Sequence, residues 1–111
     1  MTLASDGLAN RLRPLLSKMP GVVERKVIGG IGFMHFGNLL VSTTPKGDLL
    51  VRIDPAQAKV ALSRDGASQA MMGAREMSGY VAVGPEGTRS VADLKDWIAY
   101  ALKHVKTLPP K

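Results

Sequence analysis

Apolar residues recur at helical spacing near the start of the chain, at Leu8, Leu12, Leu15, Leu16 and Met19. The stripe predicts a first helix with Ser5 as its N-cap and Asp6 in its first turn. Pro14 removes one helical hydrogen bond, so a kink or break is expected there. Met19-Pro20-Gly21 ends the helix. The pattern then shortens. Val22 to Ile28 is rich in β-branched residues and reads as a strand. Phe33 to Phe36 and Leu39 to Thr44 flank Gly37-Asn38, a dipeptide that suits a two-residue type II′ hairpin turn. Pro45-Lys46-Gly47-Asp48 is a second turn, and Leu49 to Ile53 is the next strand of an antiparallel meander.

Asp54-Pro55 is a helix start, with Asp as cap and Pro at the first helical position, where its missing N–H costs nothing. This helix is predicted to run to about Ser63 and stop at Asp65-Gly66. One or two strands follow in residues 67–84, most clearly Tyr80 to Val83, before the turn Gly84-Pro85-Glu86-Gly87. Ser90 and Asp93 form a capping pair for a last helix. Its stripe is Val91, Leu94, Trp97, Ile98, Ala101, Leu102 and Val105. The expected fold is a single α+β domain over residues 1–111. It has two layers, an antiparallel sheet of five to six strands with three helices, in the order α-β-β-β-β-α-β-β-α.

The hairpins carry a prediction about faces. A Gly37-Asn38 loop pairs Phe36 with Leu39 and Met34 with Val41, and a following turn of the same parity pairs Val41 with Arg52. One face then holds Met34, Phe36, Leu39, Val41, Leu50 and Arg52. The other holds Phe33, His35, Leu40, Leu49, Val51 and Ile53. Neither is polar, so either the helices cover both faces or one face is left for a partner or a second copy.

Several of these segments together resemble the N-terminal domain of the TfoX/Sxy competence-regulator family. Arg25-Lys26-Val27-Ile28-Gly29-Gly30-Ile31-Gly32-Phe33-Met34 is similar to its RKMFGG-x-x-FM signature. Gly37-Asn38, Asp48 to Pro55, Gly79-Tyr80-Val81, Trp97 and Leu108-Pro109-Pro110-Lys111 follow in matching order. The resemblance implies the same two-layer α+β fold. It also implies a regulatory role in natural competence, since full-length members carry a second, C-terminal domain and act with the cyclic-AMP receptor protein at promoters. A stand-alone first domain is the expectation here. Where the family has Met-Phe before the double glycine, this chain has Val27-Ile28, which keeps apolar bulk and loses a ring.

Composition narrows the chemistry. The chain has 111 residues, no cysteine and a net charge of +6. Disulfides, thiolate metal sites and cysteine nucleophiles are therefore excluded. No run reaches transmembrane length and the N-terminus lacks a signal-peptide pattern, so a cytoplasmic location is expected. Residues 1–30 carry five basic and two acidic groups, residues 31–89 six and five, and residues 90–111 four and two. That spread reads as a solvated surface. Gly29-Gly30-Ile31-Gly32 is followed by a strand and lacks the helix and Lys-Ser/Thr of a phosphate loop, so its glycines are expected to serve a bulge or a positive-φ connection. His35 and His104 have no carboxylate at ligand spacing, and Met71, Met72 and Met77 read as core. No cofactor, metal or catalytic constellation is expected.

The reading is a non-enzymatic protein-interaction module, with Arg25, Lys26, Gly29, Gly30, Arg52 and Arg75 as the candidate surface. Arg52 is the most unusual, a charge within an apolar strand face. It is either an edge or ion-paired residue, with Asp48, Asp54 or Glu76 as partner, or the polar anchor of an interface. The expected partner is another protein or a second copy in a homodimer through a sheet face, with no membrane. Weak non-specific nucleic-acid binding is the second reading, and a small-molecule enzyme the third.

Overall fold

The computed structural model describes residues 3–27 and 29–111. Its elements are α1 (Leu3–Leu16), β1 (Val22–Val27), β2 (Gly30–His35), β3 (Asn38–Thr43), β4 (Leu49–Arg52), α2 (Ala58–Leu62), β5 (Ala67–Met72), β6 (Arg75–Val83) and α3 (Val91–Val105). The order is the expected α-β-β-β-β-α-β-β-α. All strand pairs are antiparallel, and the sheet runs β1-β2-β3-β4-β6-β5, so β1 and β5 are its edges. Ile28, expected in the first strand, lies outside the described residues.

Local chemistry explains most of these boundaries. The Asp54 carboxylate accepts from the Ala56 N–H, and Pro55 opens a short 3-10 turn that leads into α2. Ser90 Oγ accepts from the Asp93 N–H while the Asp93 carboxylate accepts from the Ser90 N–H, which completes a capping box at α3. Two details of α1 differ from expectation. The helix continues past Pro14 to Leu16, because that proline stands in the last turn. Ser5 lies inside the helix, buried, with its hydroxyl 2.6 Å from Thr43 Oγ1. It ties α1 to β3 instead of capping.

All three helices pack on one face of the sheet. Leu8, Leu12 and Leu16 of α1, Ala61 of α2, and Leu94, Trp97, Ile98, Ala101 and Val105 of α3 share a single core. The sheet contributes Ile31, Phe33, Val41, Leu49, Val51, Val81 and Val83, and Ile53 joins them just after β4. The register explains this choice. Phe33 pairs with Val41, Val41 with Val51, Leu49 with Val83 and Val51 with Val81, and partners directly opposite each other point the same way. Each large apolar side chain buried there contributes about 1.5–3 kcal/mol.

The face assignment expected from the hairpin needs correction. The β2–β3 turn residues are Phe36-Gly37, between the pair His35–Asn38. Both have positive φ, 48° and 87°, the pattern of a type I′ turn and not of type II′. A bulge follows. Met34 pairs with Leu39 and Phe33 with Val41, so Leu40 has no partner on β2. Leu40 and Val41 are both fully buried, and Val41 joins the core face rather than the face of Leu39 and Leu50. Phe36 leaves the sheet for the turn and stands 48% exposed.

The glycine run joins β1 to β2. Gly29 has φ +75°, and a Cβ there would meet the Pro45 ring. Gly30 has a different reason. A Cβ on it would lie 2.1 Å from the Thr43 carbonyl oxygen, which belongs to the backbone of the neighbouring strand β3 and cannot step aside. Gly30→Ala is therefore expected to cost about 2–3 kcal/mol. Gly7, in the middle of α1 with nothing within 4 Å of the added methyl, is expected to gain roughly 0.5–1 kcal/mol on the same change. Urea denaturation of the two variants checks both signs.

Candidate interaction surface

With the helices on one side, the other sheet face carries Val23, Arg25 and Val27 of β1, Gly32 and Met34 of β2, Leu39 and Ser42 of β3, Leu50 and Arg52 of β4, Ser68 of β5, and Tyr80 and Ala82 of β6. Among the described residues no helix lies over it. Val23 is 60% exposed, and Met34, Leu39, Leu50 and Tyr80 are half-buried. Val27 Cγ1 and Leu39 Cδ1 come within 2.9 and 3.2 Å of where a Gly32 Cβ would be, so these two side chains close over the glycine. The result is a continuous apolar centre with charged residues at its sides.

Arg52 lies on β4, an interior strand, so it is not an edge residue. Nor does it pair with Asp48, Asp54 or Glu76, because the only ion pair among the described residues joins Arg13 to Glu24. Its guanidinium carbon sits 6.0 Å from the centre of the Tyr80 ring, its cross-strand neighbour. Arg25 is exposed on the same face and has no ionic partner among the described residues. The face positions from β1 to β4, with Tyr80 and Ala82, include no carboxylate. Beside Leu50 and Ala82 the face dips into a shallow hollow of ≈ 340 Å³, walled by Pro45, Met71 and Asp48.

The other sequence candidates separate in space. Lys26 pairs with Ile31 and so points to the helix side. Gly29 and Gly30 stand at the end of the β1–β2 hairpin. Arg75 opens β6 opposite Met72, at the sheet edge remote from β1. Only Arg25 and Arg52 share the open face. Met71 and Met72 are not core, being 49% and 60% exposed on the β5–β6 hairpin. The turn between them and Arg75 holds them beyond the reach of the helices, where methionine acts as an adaptable contact.

Three further features escaped the sequence reading. Glu24, on the helix side of β1, accepts two hydrogen bonds from Arg13 Nε, and this contact raises the guanidinium pKa above its usual value. The pair is exposed and adds little stability. Arg64, after α2, places its guanidinium carbon 4.4 Å from the Trp97 ring centre and 5.0 Å from that of Tyr100, clamping the α2–β5 connection onto α3. The third is a clasp on the chain's last residues. Asn38 Nδ2 donates to the Pro109 carbonyl at 2.9 Å, and the Lys111 N–H donates to the Phe36 carbonyl at 2.9 Å. Gly37 leaves the space that Lys111 occupies.

A family model described as the TfoX N-terminal domain matches residues 14–105. No curated protein and no solved structure matches the chain.

The clasp makes a local prediction. Asn38→Ala removes one partly buried hydrogen bond, worth about 1 kcal/mol. Amide exchange at Lys111 is expected to rise severalfold while β4 and β6 stay protected. Unchanged exchange at Lys111 would show that the asparagine does not hold the tail.

Proposed function

The chain belongs to the TfoX N-terminal domain family, and from that premise we propose that it is a non-enzymatic, competence-related regulatory domain that works by protein interaction. The observation that carries this reading is the uncovered sheet face, with an apolar centre and two arginines that have no ionic partner among the described residues. Interfaces of this kind place apolar and aromatic contacts at the centre and use Arg as an anchor. The domain acts as a rigid presenter, since α1, α2 and α3 support the sheet from behind. No helix among the described residues is long and apolar enough to cross a membrane.

Nucleic-acid binding driven by the +6 charge is the second reading, favoured by the adjacent Arg25 and Lys26. The two side chains point to opposite faces of an edge strand, which weakens them as a phosphate cradle.

Affinity capture from a lysate of the source cells separates the two. Immobilised wild-type domain, Leu50→Glu, Arg52→Glu and a helix-side control, Lys95→Glu, are compared with and without nuclease, after circular dichroism confirms folding. Proteins retained by wild type and Lys95→Glu, lost on both face variants and indifferent to nuclease are the expected result. Retention that ignores the face variants, or that vanishes with nuclease, contradicts the interaction reading.

A further inference from the structure

Resting on that reading, we propose that the open face receives an acidic amphipathic helix from a partner protein. Arg25 on β1 and Arg52 on β4 are separated by three strand intervals, roughly 14–15 Å at the usual spacing. An α-helix with its side chains is about 10–12 Å wide. A helix lying between the two arginines would set its apolar stripe on Met34, Leu39 and Leu50, and carboxylates on its two margins would reach one guanidinium each. The Tyr80 ring flanks the Arg52 guanidinium, 6.0 Å from ring centre to guanidinium carbon, and leaves its N–H groups open to a carboxylate.

The same charges argue against the other occupants. A second copy laid on this face brings two more arginines and no carboxylate from its strand positions; the acids beside them are Asp48, at the wall of the hollow next to Leu50, and Glu76. Asp48 precedes β4, and Glu76 stands beyond the β5–β6 irregularity beside Arg75. Like charges brought together at a buried interface cost stability. A phosphate backbone would have to shed its own water against an apolar centre that offers it two guanidiniums, so nucleic acid is poorly matched.

A displayed library of short random peptides, panned against the immobilised domain, reads the preference of the face without knowledge of the partner. Labelled peptides from the enriched pool are then titrated against wild type, Arg25→Glu, Arg52→Glu and Lys95→Glu. The expected pool is net negative, with apolar residues at helical spacing. Affinity is expected to fall about fivefold or more in either arginine variant and to hold in Lys95→Glu. Replacing Glu by Lys in the peptide is expected to restore binding to Arg52→Glu. A neutral or basic pool, no enrichment, or indifference to both arginines overturns the proposal. If lysate capture still depends on Leu50 in that case, the partner chemistry is wrong and the interaction surface stands. If capture also ignores Leu50, both fall.

Discussion

One extra residue in β3 decides which side chains of this sheet meet the helices. Leu40 has no partner on β2, and the bulge it makes turns both Leu40 and Val41 into the core. Because side chains alternate along a strand, a change of one residue in register exchanges the two faces. The bulge therefore propagates. Val41 pairs with Val51, Val51 with Val81, and the same parity buries Leu49 and Val83. What remains on the outside is fixed by subtraction: Leu39, Leu50, Arg52 and Tyr80. The type I′ turn at Phe36-Gly37 sets the phase at which the bulge begins. The Lys111 N–H bonded to the Phe36 carbonyl ties that turn to the tail after α3.

The elements were legible because their signals are local. A capping box at Ser90 and Asp93, an Asp-Pro start at residue 54 and the stripes of α1 and α3 need only neighbours a few residues apart. The register was not legible, since it depends on which two of Phe36, Gly37 and Asn38 form the turn. A strongly turn-forming Gly-Asn pair pointed to the wrong two. The structure places Phe36 in the left-handed region, where its N–H donates to the Gly21 carbonyl. The one signal that could have exposed the bulge was the apolar run Leu39-Leu40-Val41, which breaks alternation within a strand that has one open face.

The candidate site was legible in part for the same reason. Arg52 stood out as a charge among apolar residues, and Arg25 lay in the family signature. That they share a face follows only from the pairings through β2, β3 and β4. Tyr80 could not be joined to Arg52 from sequence, because β6 inserts beside β4 ahead of β5. Nor could the Arg64 clamp on Trp97 and Tyr100, which spans two elements far apart in sequence. Helices on one side leave the other side of the sheet as an apolar surface that carries Arg25 and Arg52.

The central claim is that the sheet is covered on one face only. The chain has no cysteine, so single cysteines report exposure without background. Maleimide labelling of the folded Leu49→Cys, Leu50→Cys, Val51→Cys and Arg52→Cys variants tests the claim strand position by strand position. The account expects Cys at 50 and 52 to react in the native state, and Cys at 49 and 51 to react only after denaturation. Protection of all four positions in dilute, folded protein, or the reverse alternation, would contradict it.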